Sequence, residues 1–204
     1  MRVSTGARAL IVIGLTAALS ACEEPPKPVV APAPVSHANL QSTAGIQDIM
    51  AYMIDPAADF LWESVSTTVN DKGTQEHQPR TDAEWNEVRK HAIILTEAAN
   101  LILMDGRHVA REGKQLEDHG TAGNLTAAES DAAIAADRAT FESFAQALRD
   151  VGKQMLAAAD NREPQKIIDA GDTMDQVCEG CHLKFWYPGQ KIPLFPDQAP
   201  ELRN

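Results

Sequence analysis

Four segments of the chain repeat apolar residues at intervals of three and four, the spacing of one face of an α-helix. These stripes cover residues 46–61, 85–102, 141–155 and 167–177. A helix cannot bury such a stripe alone, so the four helices must pack against one another. The low aromatic content, 5%, also disfavours a β-sandwich. The sequence therefore predicts an all-α fold, an antiparallel four-helix bundle.

Local signals predict where these helices begin and where one is interrupted. Thr81 and Thr126 are each followed three residues later by Glu, the pattern of a capping box. The fourth helix is expected to begin near 161–164, which ends in proline. Asp55 and Pro56 interrupt the first stripe, because proline lacks the backbone donor that a helix interior requires. We expect a kink there, or a new helix capped by Asp55.

The N-terminal residues have the pattern of an export signal. Two arginines precede an apolar run over 9–19, which is shorter than the ~20 residues of a membrane-spanning helix. The following residues, Leu19 to Cys22, resemble a bacterial lipobox. The resemblance implies a lipoprotein signal peptide at 1–21 and a lipidated Cys22. The alternative is an ordinary signal peptide in which Cys22 occurs by chance.

The remaining chain divides by composition into a tether, a domain and a tail. Residues 22–40 contain a cluster of prolines and predict an extended tether behind the lipid-bearing cysteine. Residues 41–187 hold the helical stripes, and 188–204 form an expected extended tail. This organisation predicts a protein on the periplasmic side of a bacterial membrane, attached to it through the N-terminal lipid. Whether the inner or the outer membrane receives it is left open.

The strongest chemical signal lies at the end of the fourth helix. Cys178, Cys181 and His182 form a C-x-x-C-H motif, the attachment pattern of c-type haem. Residues at i, i+3 and i+4 share one helix face, so both thiols and the imidazole point the same way. The motif predicts one covalent haem c, held by two thioethers, with His182 as the proximal iron ligand. The alternatives are a thioredoxin-like dithiol, a structural zinc site and a chance match.

A C-x-x-C-H motif on the last of four helices resembles the cytochrome c prime family (class II c-type cytochromes), over residues 43–187. The resemblance implies a haem within the bundle, bound by the last helix, with its distal face against the first helix. Family members often carry a basic residue near a haem propionate, and Lys184 stands near that place here. Some relatives leave the sixth iron position open and bind small gases. Others supply a methionine and carry electrons.

Two methionines on the first helix are candidates for the sixth ligand. Met50 is the first choice and Met53 the alternative, and an open site remains a third interpretation. Thioether sulfur opposite histidine raises the iron potential, although methionine also commonly fills gaps in a core. The other histidines are expected to be solvated; they are His37, His77, His91, His108 and His119.

These observations predict a lipid-anchored electron carrier that is not an enzyme, since no nucleophile–base pair, phosphate loop or paired-carboxylate motif stands out. Gas binding (NO, CO) by a five-coordinate haem is the alternative, and a haem-free interaction module is the third. The net charge of −11 becomes −13 when residues 1–21, with two arginines, are removed. This charge disfavours nucleic acid and favours a redox partner with a positively charged surface. The oligomeric state is left open, with a homodimer among the alternatives.

Overall fold

The computed structural model describes residues 41–190 of the 204-residue chain. Helices make up most of this part, and two short strands complete it. The expected signal peptide, the tether with Cys22 and the tail beyond residue 190 lie outside the described residues. The helical class predicted from the sequence is confirmed, and the described residues add a small two-stranded sheet that the sequence did not predict.

The described elements follow one another in a simple order. They are α1 (Ile46–Ile49), a π-helical turn (Met50–Ile54), α2 (Asp55–Ser64), β1 (Ser66–Asn70), β2 (Gly73–His77), α3 (Asp82–Ile102), α4 (Ala127–Ala136), α5 (Arg138–Asn161) and α6 (Pro164–Phe185). We call 46–64 the first helix, because its three parts form one continuous helical backbone. Within 41–190, no helix is both long enough and apolar enough to cross a membrane.

The π turn ends two residues before Pro56 of the first helix. Pro56 cannot donate to a carbonyl four residues back. Immediately before it, the Asp55 N–H donates to the Met50 carbonyl, five residues back. This wider turn accommodates the missing donor while Ile54 and Asp55 keep helical backbone angles. The expected new helix capped by Asp55 is wrong, because α2 begins without a side-chain cap.

Helix α3 begins and packs as its sequence predicts. The Thr81 hydroxyl accepts from the Glu84 N–H at 3.3 Å, and the Glu84 carboxylate accepts from the Thr81 N–H at 2.8 Å, completing the capping box. The apolar stripe from Trp85 to Ile102 is buried. A Cβ on Gly152 of α5 would lie 2.4 Å from the Thr96 Oγ1. Glycine therefore lets α5 approach α3 closely.

The third predicted helix is two helices in the structure. The capping box at Thr126 is confirmed and starts α4. Asp137 then leaves the helical region, with φ −139° and ψ 59°, and its carboxylate accepts from the Thr140 N–H at the start of α5. An Asp carboxylate that satisfies a free backbone donor favours such a helix start. The break at Asp137 therefore ends α4 and begins α5.

The hairpin is a second difference from the sequence-based expectation. Strands β1 and β2 pair in antiparallel register from Ser66 opposite His77 to Asn70 opposite Gly73. The Lys72 N–H donates to the Asn70 side chain at 2.9 Å, and Gly73 has φ 109°, which glycine adopts without strain. Nearly all hairpin side chains are exposed. The short hairpin therefore joins α2 to α3 and adds little to the core.

The long helices pack in pairs around one core. Helix α3 packs along α5, α5 packs along α6, and α2 contacts both α3 and α6. The residues at the centre of this core are almost fully buried; they include Leu61, Leu95, Val151, Met155, Ile167 and Met174. The C-terminal part of α6 thus lies close to the first helix, and this proximity brings the candidate site residues together.

Candidate functional site

The C-x-x-C-H motif occupies the last turns of α6. Cys178, Cys181 and His182 are all half-buried there, and both cysteines are free thiols. The helix closes just beyond them, where the N–H groups of Trp186 and Tyr187 both donate to the His182 carbonyl at 2.9 Å. The backbone of His182 is therefore fixed by the end of the helix.

These three side chains line a cavity of about 600 Å³. This volume lies in the range of ligand-binding pockets, ~300–1,000 Å³. Most of the surrounding side chains are apolar and come from several elements; examples are Ile54 of the first helix, Ile134 of α4, Phe141 and Leu148 of α5, and Val109 and Leu116 of the loop before α4. The arrangement leaves space beside the thiols and the imidazole for a large, mainly apolar molecule.

The two candidate methionines occupy different positions. Met50, at the start of the π turn, lies on the cavity wall with Cys178, Cys181 and His182. Met53 is half-buried and packs against the core, but it is not part of the cavity wall. A π turn holds more residues than an α-helical turn, so side chains three apart do not stack as they do in an α-helix. The structure brings Met50, but not Met53, to the same cavity as His182.

Burial keeps the ionisable groups of the motif neutral. It raises the pKa of the Cys178 thiol to about 11, with smaller effects from Asp175 and Asp55, and raises the pKa of Cys181 to about 12. Burial also lowers the pKa of His182 below its usual value. Neutral imidazole is the form that binds iron. Neutral thiols disfavour the thioredoxin-like alternative, which requires a stabilised thiolate.

Two aromatic residues after the motif hold polar groups beside it. The Trp186 ring meets His182 edge to face at a centroid distance of 4.9 Å, and its Nε1 donates to the Asp118 carboxylate at 2.8 Å. The Tyr187 hydroxyl donates to the Glu179 carboxylate at 2.6 Å; burial and this hydrogen bond raise the pKa of Tyr187. The Leu125 N–H also donates to the Trp186 carbonyl at 2.8 Å. These contacts attach the loop before α4 to the end of α6.

That loop is part of the site, which the sequence analysis missed. The sequence predicted no role for it, yet Val109, Leu116 and Asp118 all line the cavity. Val109 is 8% exposed and Leu116 is 7% exposed. Two isolated apolar residues in an otherwise polar stretch were the available signal. They have no helical period, so nothing in the spacing connected them with the C-x-x-C-H motif.

The structure also locates Lys184 and four of the remaining histidines. Lys184 is exposed, pairs with Asp137 and does not line the cavity. Among the described residues of the cavity wall, none is Lys or Arg. His91 was expected to be exposed, but it is half-buried and stacks on Phe60 at a centroid distance of 3.9 Å. Three histidines are exposed as expected, namely His77, His108 and His119, whereas His37 lies outside the described residues.

The cavity wall also contains a buried hydroxyl that sequence reasoning missed. Ser130 of α4 is 1% exposed, and its Oγ has no hydrogen-bond partner within the described part of the chain. Serine in an Ala-rich helical segment gave no signal of such a role. Trp62, also on the cavity wall, is 39% exposed and donates from Nε1 to the Gly171 carbonyl at 3.2 Å.

No group of three or more His, Cys, Asp or Glu residues in the described ranges is arranged to hold a metal ion by itself. Comparisons of the chain with protein-family models, with curated proteins and with solved structures give no match.

Proposed function

We propose that this chain is a monohaem c-type cytochrome that carries electrons. The observation that supports it best is the single cavity of about 600 Å³ that joins Cys178, Cys181 and His182 on α6 to Met50 on the first helix. The fit to haem is chemical as well as spatial. Apolar walls suit a macrocycle, neutral thiols suit thioether formation, and neutral imidazole suits iron binding.

In this proposal the first helix, α3, α5 and α6 form an antiparallel four-helix bundle of the cytochrome c prime type. The support is a closed ring of contacts, since α2 meets α3, α3 meets α5, α5 meets α6, and α6 meets α2. Bundle interiors commonly hold cofactors between facing helices. The site described above lies at one end of this ring, between α6 and the first helix.

The residues of the chain would act as covalent links and as ligands. The thiols of Cys178 and Cys181 would hold a haem through two thioethers, each made by adding S–H across a vinyl group. His182 would supply a neutral nitrogen to the iron, and Met50 would supply a neutral sulfur. Bound haem supplies an iron that accepts and releases one electron. The mainly apolar walls would reduce the amount of water beside the iron, so that little solvent would have to reorganise when the charge of the iron changes.

The charge around the site supports a cationic redox partner. The cavity wall includes the carboxylates of Asp55, Glu117 and Asp118, and Asp55 is exposed. The chain as a whole has a net charge of −11. A partner protein with a positively charged surface would be attracted to this face, and its association rate would fall as salt is added.

One absorption spectrum of the purified protein tests the function. A low-spin haem that does not bind carbon monoxide supports an electron carrier in which His182 and Met50 are the iron ligands. A five-coordinate haem that binds carbon monoxide or nitric oxide at once would instead support the gas-binding alternative. A preparation without any haem band would contradict both and leave the interaction module.

We also propose that the protein is anchored by a lipid on Cys22 and faces the periplasm. Each lipid methylene that enters the membrane contributes ~0.8 kcal/mol, so several chains on one cysteine hold firmly. Expressed with its own leader, the wild-type protein should sediment with membranes and require detergent for release. The Cys22→Ala variant should accumulate as a longer precursor or appear in the soluble periplasmic fraction. Wild-type protein that is freely soluble would contradict the anchor.

A further inference from the structure

The hydroxyl of Ser130 differs from the other buried hydroxyls of the described chain. Three polar residues are buried there: Ser64, Thr96 and Ser130. The Ser64 Oγ donates to the Leu61 carbonyl at 2.8 Å, and the Thr96 Oγ1 donates to the Ala92 carbonyl at 2.8 Å. Such bonds to the preceding turn are the usual way in which helical Ser and Thr satisfy a buried hydroxyl. Ser130 makes no such bond.

An unsatisfied buried hydroxyl costs ~1–3 kcal/mol, so Ser130 requires an explanation. Its backbone is firmly placed, because its N–H donates to the Thr126 carbonyl at 2.9 Å within the capped first turn of α4. The neighbouring Asp131 accepts from the Val109 N–H at 2.8 Å and from His108 at 3.0 Å. Within residues 41–190, one other buried side-chain polar atom lacks a partner: Arg149 Nε, which lies 3.5 Å from the Asp150 carboxylate and outside the cavity wall.

The position of Ser130 indicates that its hydroxyl contacts whatever molecule fills the cavity. It lies on the wall of the cavity that holds Cys178, Cys181 and His182. The other donors on that wall are engaged or partly solvated. Nε1 of Trp186 bonds Asp118, and Nε1 of Trp62 bonds the Gly171 carbonyl. Gln47 is half-buried rather than buried.

The chemistry of haem limits which of its groups could accept a hydrogen bond from Ser130. The edge of a haem carries apolar methyl and vinyl groups, and its hydrogen-bond acceptors there are the two propionate carboxylates. No Lys or Arg is found among the described residues of the wall, while the carboxylates of Asp55, Glu117 and Asp118 are. Because no cationic side chain is available on the described part of this wall, a propionate placed against it would need a hydrogen bond from a neutral donor. A hydrogen bond from a hydroxyl to a carboxylate is about twice as strong as one between neutral groups.

We propose that the Ser130 hydroxyl donates a hydrogen bond to a haem propionate and so positions the haem in the cavity. This inference rests on the proposed c-type cytochrome. Ser130 takes the place that the sequence resemblance suggested for Lys184, whose ammonium group is paired with Asp137 at the surface. Ser130 is a positioning residue here, because it acts on the edge of the haem and not on the iron.

The test uses the full-length protein with haem attached, and compares Ser130→Ala with Ser64→Ala. Both changes remove one buried hydroxyl, but the Ser64 hydroxyl is satisfied within its own helix. Resonance Raman spectroscopy measures the bending band of the haem propionates. In wild type this band should shift when H2O is exchanged for D2O, because the donor hydrogen is exchangeable. Ser130→Ala should shift the band in H2O and lose this isotope sensitivity, whereas Ser64→Ala should keep both.

Each other outcome contradicts the proposal in a recognisable way. An unchanged propionate band in Ser130→Ala would show that the hydroxyl does not meet a propionate. If the spin-state marker bands of the haem change instead and the propionate band does not, the hydroxyl acts at the iron. If Ser130→Ala loads too little haem to measure, the wild-type band decides, since its insensitivity to D2O overturns the proposal. Wild type that contains no covalent haem refutes the proposed function first, before Ser130 is tested.

Discussion

Replacing both cysteines of the motif, in the Cys178→Ser/Cys181→Ser variant, should reduce the covalent haem content from one per chain to none. A serine hydroxyl has nearly the size of a thiol but does not form the thioether. Each single variant should keep one link and give a lower yield of loaded protein. Acid–acetone extraction followed by mass spectrometry of the polypeptide measures the result directly, because covalent haem remains on the chain.

The matched control for this experiment is Gln176→Ala, an exposed position two residues before the motif on the same helix. This variant should keep one haem per chain, which separates loss of attachment from damage to α6. Haem that is extracted from the wild type by acid–acetone would contradict covalent attachment. A double serine variant that still carries one haem per chain would show that neither thiol forms the link.

The parts of the structure that sequence predicted well depend on regular helical spacing. The stripe that starts at Trp85 is buried along α3, and the capping boxes at Thr81 and Thr126 both form. Pro164 begins α6 as expected. In these segments local propensity, apolar period and capping all favour the same helix. Tertiary packing therefore agrees with the local signals.

Where spacing is irregular, the sequence did not reveal the structure. The Ala-rich segment before Asp137 gave no period that could separate α4 from α5. The exposed hairpin over 66–77 has no buried face to leave a pattern of alternation. Ser130 could not be distinguished from any other helical serine, because its importance depends on a cavity assembled from distant segments.

The two methionines show most clearly what a helical pattern leaves undetermined. Counting in α-helical steps places Met50 and Met53 on one apolar face, since they are three residues apart. The π turn at Met50–Ile54 changes that phase, so Met50 lines the cavity with His182 while Met53 packs against the core. π-helical turns inside α-helices frequently coincide with functional sites. The phase change gives the two residues different expected effects.

Met50→Ala should therefore convert a low-spin haem into a high-spin or water-ligated one that binds carbon monoxide. The reduction potential should fall by on the order of 100 mV or more, because axial ligands set haem potentials across a range of about 0.8 V. The Met50 sulfur carries no charge, so placing it against the iron has no ionic desolvation cost. Visible absorption with and without carbon monoxide, together with a redox titration, measures both effects.

Met53→Ala is the matched control, since it removes the same side chain from the same π turn. It should leave the spectrum and the potential unchanged and lower the free energy of unfolding by about 2 kcal/mol, near the low end for buried methionine, because the side chain is only half-buried. If the two variants exchange their phenotypes, Met53 is the ligand and the first helix must turn in the loaded protein. If the wild type is already high-spin and both variants keep its spectrum, no methionine binds the iron. The open sixth position would then favour gas binding over electron transfer.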